Sequence, residues 1–125
     1  MKNITFQALQ IKMTNAIEKY IRKRLDGFEK LLHVNSDNVD TLGCHVRIRR
    51  EMAEHHKKGK DVYHVDATIE HNGQSYRADA NRDDLYTAID EVKDDLSRLI
   101  TKDLSIKRVA ERQSGAKVKR LLRSG

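Results

Sequence analysis

The chain has 125 residues, 38% of them hydrophobic, with 25 Lys+Arg against 19 Asp+Glu for a formal net charge of +6. That length predicts one domain; no run nears the roughly 18 apolar residues of a membrane span, the opening lacks a signal peptide's apolar stretch, and the expected location is cytoplasmic. Residues 1–60 hold 13 Lys+Arg and 7 Asp+Glu (+6), residues 61–104 hold 5 and 11 (−6), and residues 105–125 hold 7 and 1 (+6), which predicts a basic face, an acidic face and a basic tail.

Residues 3–8 alternate, with Ile4, Phe6 and Ala8 on one side, as in a half-buried strand. From Thr14, a candidate N-cap, the period turns helical, and Ile17, Tyr20, Ile21, Leu25, Phe28 and Leu32 form one stripe. Asp26-Gly27 interrupts that helix, because a glycine within it costs about 1 kcal/mol relative to alanine. After a polar loop, a second strand from Gly43 turns Cys44, Val46 and Ile48 to the core and His45, Arg47 and Arg49 outward.

A charged loop over 51–60 leads to a third strand over about 61–70, with Tyr63, Val65, Ala67 and Ile69 inward. Asn72-Gly73 is the preferred pair for a two-residue hairpin turn. That turn pairs Ile69 with Tyr76, Ala67 with Ala78 and Val65 with Ala80, every inward residue meeting another. The same register opposes Asp66 to Asp79, a repulsion that Arg47 or Arg49 is expected to relieve. Asn81 is read as the cap of a second helix with Leu85, Ile89, Val92, Leu96 and Leu99 on its apolar stripe. Ile106 and Ala110 prolong it, Gln113-Ser114-Gly115 breaks it, and disorder is expected beyond.

The predicted fold class is α+β: a β-α-β-β-β-α two-layer sandwich, a four-stranded sheet with two helices on one face, like a double-stranded-RNA-binding domain. Its first two strands are parallel neighbours. Residues 1–104 form this domain, and residues 105–125 a basic tail that is partly helical or disordered when free.

No constellation for catalysis is legible. Cys44 points to the core, no serine sits in a nucleophile elbow, and no glycine-rich phosphate loop occurs. His55, His56, His64 and His71 lack a zinc-ligand spacing, so neither metal nor cofactor is expected. Tyr20, Tyr63, Tyr76 and Tyr86 read as core residues with hydroxyls at the rim, which disfavours base stacking on the sheet. The basic residues carry the signal. Lys19, Lys23 and Lys30 share one side of the first helix, with Arg24 at the edge of its stripe. Arg47, Arg49 and Arg77 leave the open sheet face, and Lys57, Lys58 and Lys60 line its end. Cations converging from separate elements suit the phosphates and 2′-hydroxyls of structured RNA.

The string Asp84-Leu85-Tyr86-Thr87-Ala88-Ile89-Asp90 resembles the signature Asp-Met-Tyr-x-Ala-Ile-Asp of the ribosome hibernation-promoting factor and ribosome-associated inhibitor family, also called the sigma-54 modulation proteins. The likeness extends over about residues 1–104 through the Asn3-Ile4-Thr5 strand, the basic end of the first helix and the Asn-Gly hairpin. It implies a non-enzymatic protein, monomeric off the ribosome. Such a protein binds the small subunit and the 70S ribosome, contacts 16S rRNA in the decoding channel, excludes mRNA and tRNA, and inhibits translation under stress. The resemblance assigns rRNA contacts to Arg24, Lys30, Arg98 and Lys102. The basic-surface reading adds Lys23, Arg47, Arg49, Arg77, Arg82, Lys107 and Arg108. Gly27 and Asp95 depart from the family's frequent lysines, and the acidic block is heavier than the family's. Residues 105–125 supply no dimerisation domain, so the chain resembles the short form. Two other readings remain open: a protein-interaction module that binds a regulatory or transcription factor through the acidic helix, and a generic double-stranded-RNA binder, either one without a small-molecule substrate or a membrane.

Overall fold

Alternating burial makes Ile4–Leu9 the first strand, β1, and the switch to helical spacing produces α1 at Asn15–Leu25. In this computed structural model residues 3–34, 42–53 and 59–124 are described, with side chains through residue 110. Thr14 caps α1 as expected, its hydroxyl accepting the Ile17 N–H at 3.2 Å. The break at Asp26-Gly27 is slight. A short α2, Gly27–Leu31, follows at once, and Asp26 itself stays in the right-handed helical region at φ −57°, ψ −35°. The two segments therefore keep one helical phase. α2 ends on His33 at φ 55°, where Val34 N–H reaches the Glu29 carbonyl at 2.9 Å and His33 N–H the Lys30 carbonyl at 3.1 Å, a Schellman closure made without glycine.

Strands β2 (Gly43–Glu51), β3 (Val62–His71) and β4 (Gln74–Arg82) complete a sheet of order β1-β2-β3-β4. β1 and β2 are parallel, and the other neighbours antiparallel. The hairpin register is the expected one: Ile69 faces Tyr76, Ala67 faces Ala78 and Val65 faces Ala80. Asn72 at φ 49° and Gly73 at φ 79° both occupy the left-handed region, as the type I′ form of a two-residue turn requires.

A single layer of side chains joins sheet and helices. Cys44, Val46, Ile48, Val65, Ala67 and Ile69 meet Ile17, Ile21, Leu25 and Phe28 from one side and Leu85, Ile89, Val92, Leu96 and Ile100 from the other. All helices lie on this face, and the two-layer α+β architecture is the predicted one.

Three expectations about the last helix, α3 (Leu85–Ser124), are corrected. Its cap is Asp84, whose carboxylate accepts the Thr87 N–H at 2.9 Å and the Thr87 hydroxyl at 2.7 Å, while Asn81 still belongs to β4. The stripe closes on Ile100, fully buried, and Leu99 is 44% exposed. At about 100° per residue Ile100, four positions after Leu96, continues the stripe of Leu85, Ile89, Val92 and Leu96, and Leu99 falls at its edge. Finally, the backbone remains helical through Gln113-Ser114-Gly115 to Ser124. One glycine's helical penalty is of the order of 1 kcal/mol, small against a flanking run rich in Ala, Lys, Arg and Leu with no proline. From Ser105 to Ala110 every side chain is exposed.

Candidate nucleic-acid interface

Because Asp26 preserves the helical phase, Lys19, Lys23 and Lys30 remain on one side of α1 and α2, within about 40° of one another at 100° per residue. All three are exposed, and among the described residues none has an ion-pair partner. Arg24, one position further round, is held differently. Its Nε lies 3.0 Å from Asp90 Oδ1 and its Nη2 donates to the Tyr20 hydroxyl at 2.9 Å, with the guanidinium 4.9 Å from the Tyr20 ring centre. The Tyr20 hydroxyl donates in turn to Asp90 at 2.7 Å, and that bond, followed by burial, raises its pKa.

The open sheet face is a lattice fixed by register. Gln7, Arg47, Asp66 and Asp79 form one row across the four strands, and Leu9, Arg49, His64 and Asn81 the next. The opposition of Asp66 and Asp79 is as expected, but its relief comes from within the hairpin: Arg77 bonds Asp66 at 3.3 Å. Arg47 and Arg49 have no ion pair among the described residues and border a depression of about 310 Å³ shared with His64, Asp66 and Asp79. A second depression of about 260 Å³ places Arg47 with His45, Thr68 and Arg77. His64 is pinned between Asn81 and Glu51, whose Oε2 is 3.0 Å from Nε2.

Along α3 the expected contacts are mostly engaged by carboxylates. Arg82 meets Glu91 at 2.5 Å, Arg98 meets Asp95 at 3.1 Å, and Lys107 meets Asp103 at 3.0 Å. Lys102 and Arg108 are exposed and without an ion pair among the described residues. Of the eleven residues picked from the sequence, Arg24, Arg77, Arg82, Arg98 and Lys107 are thus paired, and among the described residues Lys23, Lys30, Arg47, Arg49, Lys102 and Arg108 have no such partner. Their periodicity was legible, but their neutralisation by residues up to 66 positions away was not. Lys57 and Lys58 lie outside the described residues, as do His55 and His56.

The aromatic residues divide. Tyr76 is buried and donates its hydroxyl to Asp103, and burial with that bond pushes its pKa up to about 12. Tyr20 and Tyr63 are half-buried. Tyr86 is a correction: it is 40% exposed and meets Tyr20 edge-on, with ring centres 4.7 Å apart. Cys44 is fully buried, and desolvation raises its thiol to about 12, so the nucleophilic thiolate does not form near neutrality. Among the described residues no three histidine, cysteine or acidic side chains are grouped to hold a metal, and no helix is long and apolar enough to cross a membrane.

Sequence reading passed over Lys93 and Ser97. Both face α2 across a cleft of about 220 Å³ lined also by Arg24, Gly27, Phe28 and Leu31. Their i, i+4 spacing was the available signal, hidden by the acidic residues around them.

The architecture, a four-stranded sheet under a helix pair and a long helix, is shared with other solved structures. A ribosomal subunit interface protein from Coxiella burnetii aligns at 18% identity over 82% of this chain and 98% of its own, with a TM-score of 0.55. The N-terminal domain of Protein Y from Thermus thermophilus aligns at 23% identity over 80% of this chain and 93% of its own, with a TM-score of 0.52. At those identities the likeness is one of fold. Comparison with curated proteins returns no sequence match. The family itself is shown by sequence: residues 4–108 match the sigma 54 modulation protein / S30EA ribosomal protein family, and the chain belongs to it. The resemblance read at Asp84–Asp90 is borne out.

Proposed function

We propose that this chain is a cytoplasmic, non-enzymatic ribosome hibernation factor that docks as a monomer on the small ribosomal subunit. It contacts 16S rRNA in the decoding channel, excludes mRNA and tRNA by occupancy, and thereby inhibits translation under stress. Membership of the family over residues 4–108 carries this reading. The disposition of charge supports it: Lys23, Lys30, Arg47, Arg49, Lys102 and Arg108, without an ion pair among the described residues, come from the helix pair, the sheet and α3, whereas most described carboxylates of α3 already hold a basic residue. Phosphate contacts of this kind position a protein by shape and need no base-specific donors. Residues 1–104 act as the docking body and residues 105–125 as a further cationic arm.

Sucrose-gradient sedimentation with 30S, 50S and 70S particles, run beside a translation assay, tests the proposal. Co-migration with 30S and 70S and loss of translation are expected, and protein left at the top of the gradient overturns it. The competing reading, a protein module acting through the acidic helix, requires Asp94 and Asp95 charge reversal to abolish function while Arg47→Glu and Arg49→Glu leave it intact. Binding to naked duplex as tight as to ribosomes would favour the generic RNA binder.

A further inference from the structure

We infer that the cleft between α2 and α3 receives one unstacked base of the bound RNA, an inference that rests on the ribosome-binding reading above. The cleft measures about 220 Å³, below the roughly 300–1,000 Å³ of sites that take drug-sized ligands, and on the scale of a single planar ring system. Its floor is apolar, from Phe28 and Leu31, and its rim offers the donors of Arg24, Lys93 and the Ser97 hydroxyl. There is open space at Gly27, where a Cβ built on the backbone meets no atom within 4 Å, so a larger side chain placed there can extend into the cleft.

The rim cations do not make a phosphate site. Arg24 already faces Asp90 at 3.0 Å and Lys93 faces Asp94 at 3.5 Å, so an anion would have to compete with two carboxylates. A neutral group with hydrogen-bonding edges meets no such competition. The Arg24 guanidinium is moreover held in place by Asp90 and Tyr20, and a fixed guanidinium plane is a surface on which unstacked RNA bases are recognised. Charge for the flanking phosphates lies close by. Lys23 and Lys30 stand one turn before and one turn after Gly27 on the same side of the helix pair, exposed and without ion pairs among the described residues. A base entering at Gly27 is therefore bracketed by the two cations its own backbone needs.

Gly27→Leu fills the cleft, adds a good helix former and removes no charge. Three measurements on the full chain decide: thermal unfolding, 30S affinity as a function of salt, and base-level chemical probing of 16S rRNA. The variant is expected to melt no lower than the parent, to bind about tenfold more weakly, the usual scale of one lost base–protein stack, and to keep the parent's salt slope. Probing is expected to show one base whose reactivity changes with the parent and not with the variant. Arg24→Lys, which keeps the charge and loses the plane, is expected to weaken binding at the same base. Parental affinity and footprint in Gly27→Leu would overturn the inference, and so would weaker binding with no base altered, which would assign the cleft to a ribosomal-protein side chain. Failure of the parent to bind 30S would overturn the hibernation reading and this inference together.

Discussion

Neutralising unpaired cations is expected to change the salt dependence of ribosome binding, whereas neutralising paired ones is not. Each phosphate contact releases condensed counterions, giving a slope of about −0.9 in log K against log salt per cation on duplex nucleic acid. Were all eleven sequence-picked cations equal, the slope would be about −10 and affinity would fall about a millionfold between 50 and 200 mM salt. Five of them carry a carboxylate in the folded protein. The remaining six predict a slope of about −5 and a fall of about a thousandfold over the same range. The comparison that isolates this effect is Lys23→Gln with Lys30→Gln against Arg82→Gln with Arg98→Gln. Both double variants remove the same formal charge. Fluorescence anisotropy of labelled protein titrated with 30S subunits over a salt series should show the first flattening the slope by about two and the second by well under one. Equal flattening by the two would refute the reasoning, since it would mean that RNA displaces Glu91 and Asp95 without cost and that ion pairing within the protein does not select the contacts.

Asp90→Asn releases Arg24 from its carboxylate and should steepen the same salt slope by up to one, read in the same titration. Leu96→Ala should lower stability by about 2–5 kcal/mol in urea unfolding, because Leu96 is fully buried, whereas Leu99→Ala at 44% exposure should leave the midpoint nearly unchanged. For Tyr76 the folded pKa is raised from 10.0 to about 12, so its contribution to stability is complete below the unfolded value and lost as pH rises through the folded one. Ultraviolet titration should show a phenolate forming at about pH 12 that is lost in Tyr76→Phe, while the raised titration of Tyr20 persists. Asp84 shifts the other way: hydrogen bonds from the Thr87 hydroxyl and N–H hold it below 3.8, so its cap stabilises α3 above that pH and fails as pH falls through the depressed value. Circular dichroism of Asp84→Ala should show weakened helix at neutral pH and a shallower acid transition than the parent.

What the chain's own order determined is the part governed by neighbours in sequence. Side chains two apart share a strand face, those three or four apart share a helix face, and Asn72-Gly73 can satisfy a turn whose central residues both have positive φ, so the strands β2, β3 and β4 and the register of the β3–β4 hairpin were legible. The family string at Asp84–Asp90 was legible for the same reason. Tertiary structure alone decided which basic residues remain available. Arg24 and Asp90 are 66 residues apart, Asp66 is relieved by Arg77 and not from β2, and the stripe of α3 closes on the buried Ile100 while Leu99 is 44% exposed. The same holds for the cleft at Gly27, which in sequence is a helix defect and in the folded chain is an opening between two helices. Periodicity assigns a residue to a face, but only the approach of other elements settles whether that face meets solvent, a carboxylate or a neighbour.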